Sequence, residues 1–124
     1  MNKKTKLTLA ELLRRKEQML EAKKTKKTKD LYVASIDAVI TIEEPSGALC
    51  RDAADMEAGE GDKYLCYECI KEPNLKSKDA QEAFECAEPM DIVEVVFKAG
   101  EIPQIATECM KLAGYAGGVE TVKN

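Results

Sequence analysis

The stretch Pro89–Gly114 constrains the fold more than any other part of the chain. Ile102, Ile105, Ala106, Cys109, Met110 and Ala113 recur at the three- and four-residue spacing of an α-helix, so one continuous apolar stripe lies on a single helix face. Gly114 stands at the stop position and Lys111 in the last turn. Upstream, the sequence predicts a second helix with Pro89 just inside its start. It carries Ile92, Val93, Val95, Val96 and Phe97, and ends at Lys98-Ala99-Gly100, where glycine permits a sharp bend. Two apolar helices meeting at a bend make a core. They carry no catalytic group, and the chemistry of this stretch points to an interaction module.

A chain of 124 residues fits one domain, and it holds no apolar run long enough to span a bilayer. The basic start is not followed by an apolar segment, which predicts a chain without a secretory signal. Five cysteines, an odd number spread through helix-like segments, suit reduced thiols better than a disulfide framework, so the expected location is cytoplasmic. Histidine and tryptophan are absent. The commonest general base is therefore missing, which argues against triad hydrolases, His-ligated zinc enzymes and most acid–base catalysts. The expectation is a non-enzyme with no cofactor and no metal.

Charge is distributed unevenly. Residues 1–29 hold eleven Lys or Arg against three Glu, a net +8, while the remainder carries −12, giving −4 for the chain. A basic arm precedes an acidic body. Such an arm reads first as a solvated terminus, then as a docking element for an acidic protein surface, including a second copy, and last as a nucleic-acid contact. The acidic body repels phosphates, and no aromatic or arginine reader motif accompanies the arm, so nucleic acid is the weakest of the three.

Within the arm, Lys3–Lys6 reads as frayed. Thr8 then opens a helix with Glu11 at capping-box spacing, and the helix runs from Leu9 to about Ala22. Its stripe of Leu9, Leu12, Leu13, Met19 and Leu20 is narrow and interrupted by Lys16, so it packs either on the body or on a partner. Lys23–Lys29 has nothing apolar to bury and reads as a linker. From Asp30 the pattern turns β-type, and a hairpin over residues 30–44 is expected to turn at Asp37-Ala38 and to pack on the body as a structural element, the alternative being an open strand edge that pairs with another copy or a partner segment. Pro45-Ser46 ends the strand and caps a helix from Gly47 to Met56, followed by a loop at Ala58–Gly61. Asp62 caps a further helix through Glu72, with Leu65, Cys66, Cys69 and Ile70 on its apolar face before Pro73 forbids continuation. A short helix from Ser77 to about Phe84 offers Leu75, Ala80, Ala83 and Phe84 for packing. Cys66 and Cys69 have the spacing of a zinc or redox pair. They fall in mid-helix on an apolar face, without two further ligands, so buried packing is the preferred reading.

The fold class expected from these segments is α+β, mainly α-helical, with about five helices and one β-hairpin in the N-terminal third. The expected organisation is a basic arm over residues 1–29, a compact body over 30–115 and a disordered tail over 116–124.

In their order, the segments 27–46, 61–76 and 88–115 resemble the XkdN-like family of bacteriophage tail assembly chaperones. The likeness covers about residues 8–118. Its most specific pieces are Glu44-Pro45-Ser46, the corner Glu72-Pro73-Asn74-Leu75, and Gly100 to Ile105 with Pro103 inside it. The resemblance implies a mainly helical fold with a β-hairpin, self-association, and a transient role in which the protein coats the tape measure protein and helps tail tube subunits polymerise around it. It carries over no motif-defined site residue. It also suggests a longer frameshifted product sharing residues 1–120, with Lys123-Asn124 at the place where a ribosome slips. From the residues alone, the candidate partner-binding positions are Leu9, Leu12, Leu13, Met19, Leu20, Ile102 and Ile105. The rival function is a small nucleic-acid-binding regulator acting through the basic arm.

Overall fold

Alternation of apolar and polar side chains from Lys29 to Glu43 builds the first structured part of the body. In the computed structural model, which describes residues 4–122, β1 (Thr28–Val33) and β2 (Ala38–Glu43) pair antiparallel, with Val33 opposite Ala38 and Thr28 opposite Glu43. Leu31, Val33, Ile40 and Ile42 point inward, while Tyr32 and Val39 form an exposed pair on the outer face. The turn is longer than the expected two residues. Ala34–Ile36 form a single 3-10 turn and Asp37 takes the left-handed conformation at φ 45°, with its carboxylate accepting from the Tyr32 hydroxyl at 2.7 Å. β1 also begins inside the segment expected to be a linker, because Thr28 and Lys29 register against Glu43 and Ile42.

Ser46 caps α3 (Gly47–Ala54), its Oγ accepting from the Leu49 N–H at 3.1 Å. The next helix, α4 (Glu60–Cys69), starts two residues before Asp62, so Asp62 lies in its first turn rather than at its cap. Gly61 sits where α4 crosses α3: a Cβ there would lie 2.2 Å from the Ala53 carbonyl oxygen, so only glycine allows this approach. The helix also ends earlier than expected. Ile70–Glu72 form β3, antiparallel to β2, with Ile70 buried opposite Ile42. The sheet therefore has three strands in the order β1-β2-β3, and the inner edge of the hairpin is covered. Pairing with β2 satisfies the backbone of Ile70–Glu72 and prevails over the helical spacing of its side chains.

Ser77 caps α5 (Lys78–Ala83), with Phe84 left 52% exposed instead of packed. Pro89 precedes α6 (Asp91–Val96) rather than lying inside it. Ile92, Val93 and Phe97 from this segment are buried. Gly100 has an ordinary helical φ of −76°, so the bend into α7 (Glu101–Leu112) does not require glycine. At the far end Gly114 does, at φ 90°, where the Tyr115 N–H donates back to the Met110 carbonyl at 3.1 Å. α4 is the central helix, packed on α7, α3 and α6, and α7 also lies against β1 and β2. The core is the inner sheet face with Leu65, Cys66, Cys69, Ile92, Val93, Phe97, Ile102, Ile105, Ala106 and Cys109.

The chain divides between Lys26 and Lys27 and again between Ala116 and Gly117. In the N-terminal segment the expected single helix is two, α1 (Leu9–Arg14) and α2 (Lys16–Lys24), separated by a turn at Arg15. Thr8 caps α1 as expected, its Oγ1 accepting from the Glu11 N–H at 3.1 Å, but the Glu11 carboxylate turns to Arg14 and Arg15 instead of closing a capping box. Lys4–Lys6 and Tyr115–Val122 hold no helix or strand, and Lys3 and Lys123-Asn124 lie outside the described residues. Among the described residues there are seven α-helices and three strands, more than the expected five and two, within the expected α+β class.

Candidate partner surfaces

Two apolar stripes were expected to meet partners, and their surroundings differ. On α1 and α2, Leu9, Leu13 and Leu20 are 70%, 61% and 56% exposed, Leu12 and Met19 are each 39% exposed, and neither helix buries a residue. The chain passes Arg15 in a nearly helical conformation, so the five side chains share a face about a third of the circumference wide. Lysines and arginines flank them: Arg14, Arg15, Lys16, Lys23 and Lys24. Glu11 is clamped by both arginines, with Arg15 Nε at 2.8 Å, and the hydrogen bond from Arg14 holds its carboxyl below the usual range. Ile102 and Ile105, by contrast, are 8% and 4% exposed. They belong to the core of the body, where α7 packs on α4 and the sheet.

The open edge weighed for the hairpin is that of β1, and the groove that α7 walls beside it was not foreseen from the sequence. A hollow of about 460 Å³ is lined by Leu31, Tyr32, Val33 and Ala34 on one side and by Glu101, Gln104, Ile105 and Glu108 on the other. Consecutive strand residues point to opposite faces, so a hollow that touches Leu31, Tyr32 and Val33 in succession runs along the edge of β1. That edge has no strand beside it among the described residues. The opposite wall is the α7 row at i, i+3, i+4 and i+7. Glu101 accepts from the Lys98 N–H at 2.9 Å and the Ser35 hydroxyl at 2.7 Å, and these donors, the first above all, hold its carboxyl below the ordinary range. Glu108 is held down similarly by Lys29 at 2.6 Å and Lys111 at 3.1 Å. The alternation around β1 and the α7 period were both visible in the sequence, but their meeting was not.

A second hollow, of about 380 Å³, lies between the start of α4 and the start of α7 and includes Asp62, Lys63, Glu94 and Phe97. Its lysine is already engaged, with Glu94 at 2.7 Å and Asp91 at 3.5 Å.

All five cysteines are free thiols, and Cys50, Cys66, Cys69 and Cys109 are buried. Cys66 donates to the Ile102 carbonyl at 3.4 Å, and burial pushes its thiol up to about 12. Cys109 lies beside Cys69, and that contact together with burial drives its thiol well above the ordinary range. The same contact lowers the Cys69 thiol, which stays buried; Cys66 and Cys109 are packing groups with a weak donor rather than nucleophiles. Among the described residues, no three acidic, cysteine or histidine side chains are grouped to hold a metal ion, and no helix is long and apolar enough to cross a membrane.

No curated protein and no solved structure matches the chain. The model of the phage XkdN-like tail assembly chaperones does, over residues 1–124, and the chain belongs to that family.

Proposed function

We propose that this tail assembly chaperone acts in the host cytoplasm, binding the tape measure protein before assembly and assisting polymerisation of tail tube subunits around it, without remaining in the finished virion. The observation that carries this reading is the exposed stripe Leu9, Leu12, Leu13, Met19 and Leu20 on helices that bury nothing of their own. A long helical client presents apolar stripes before assembly, and a helix lays such a face against another helix or groove. Each contact is weak, so release remains possible, and several copies along one client hold it by effective concentration. Ile102 and Ile105 contribute indirectly, by fixing α7 in the body.

The test is co-expression with the tape measure protein of the same phage. A soluble complex that purifies with the wild-type chain and is lost in Leu12→Asp/Leu13→Asp/Leu20→Asp supports the reading. A tape measure protein that is equally soluble and uncomplexed with either chain refutes it. The nucleic-acid alternative predicts retention on DNA that falls with salt and is indifferent to these leucines.

A further inference from the structure

The hollow at the edge of β1 joins three features: a strand edge with no neighbouring strand among the described residues, an exposed aromatic side chain, and a carboxylate held by neutral donors, on which Lys98 acts only from beyond ion-pair contact. Tyr32 is 63% exposed on the outer face. Glu101 is oriented by two neutral donors, and among the described residues no lysine or arginine stands within ion-pair distance of it. Such a site suits an extended segment that supplies a row of backbone hydrogen bonds, a cation on the side of α7, and an apolar group beside Tyr32. The chain itself carries one. Lys4–Thr8 has no helix or strand, and in extended form it places Lys4 and Lys6 on one side and Leu7, 54% exposed, on the other. Lys4 is engaged only at the surface, with Glu120, and an exposed pair of that kind competes weakly.

We propose that the groove between β1 and α7 receives the Lys4–Thr8 segment of a second copy as an added strand, with its lysines toward Glu101 and Leu7 against Tyr32. The net +8 of residues 1–29 and the −12 of the remainder favour the same docking. The contact joins two different surfaces, so it builds rings or open chains of subunits head to tail. It uses neither the leucine stripe nor the client, and it stands or falls apart from the function proposed above.

Sedimentation of the full chain over about 10–200 µM tests it. The wild type is expected to gain mass with concentration and to lose it as salt rises from about 0.05 to about 0.5 M. Lys4→Glu/Lys6→Glu and, separately, Glu101→Lys are each expected to weaken association about tenfold or more, because like charges then face each other. Mixing the two variants restores association, since the reversed charges meet. Circular dichroism confirms that each variant is folded, and Glu101→Gln supplies a milder change at the same position. Amide exchange at Leu31–Val33 slows in the associated wild type. A strictly monomeric wild type, charge variants that associate as it does, or a mixture that fails to recover would overturn the proposal.

Discussion

The α7 stripe and the α1–α2 stripe obey the same spacing rule, yet one is core and the other is exposed. Ile102, Ile105, Ala106 and Cys109 are enclosed because α7 follows α6 after a short connection and lies against α4 and the sheet. Leu9, Leu13 and Leu20 stand on helices followed by Thr25-Lys26-Lys27, a connection that brings polar and charged groups rather than apolar ones. Periodicity states that a face exists. It does not state which molecule covers it.

The largest expected effect comes from substituting matched positions on the two stripes. Ile105→Ala removes a buried side chain and should lower stability by about 2–4 kcal/mol in urea unfolding. Leu13→Ala, at an equivalent place on an exposed stripe, should change it by less than about 0.5 kcal/mol. Equal losses would erase the difference between the two stripes.

The caps give a second matched pair. Ser46 Oγ and Thr8 Oγ1 accept the same kind of N–H bond at the same 3.1 Å. Ser46→Ala should cost about 1 kcal/mol of body stability. Thr8→Ala should reduce helical circular dichroism while leaving the unfolding midpoint in place.

Alkaline pH separates the regions by a smaller margin. The Cys66 thiol, neutral when protonated, has its folded value raised to about 12 by burial, above an unfolded value near 8.5. Its contribution is complete below the unfolded value and is lost as pH rises toward the folded one. The melting temperature should therefore fall above about pH 8.5, and fall less in Cys66→Ala. An identical slope in both proteins would remove Cys66 from the account.

Much of the body was legible where one local rule acts alone. The α7 stripe, the caps at Thr8 and Ser46, the stop at Gly114 and the alternation of β1 and β2 all follow from neighbouring residues. Where two segments decide together, the sequence misleads. Ile70 continues the α4 spacing but joins the sheet because β2 offers its edge, and Phe84 has a helical neighbour pattern but no surface to cover. The five arm residues of the candidate site were visible as a stripe, and their exposure was one of two open readings. The groove was invisible because Leu31 and Ile105 are distant in sequence and meet only in the fold.

We propose that the arm stripe is made for a partner while the body stands without it. Leu12→Asp/Leu13→Asp/Leu20→Asp tests both halves in one protein, by urea unfolding and by co-purification with the tape measure protein. An unfolding midpoint equal to the wild type and a lost complex are expected. A lowered midpoint, or a complex retained in full, would contradict it.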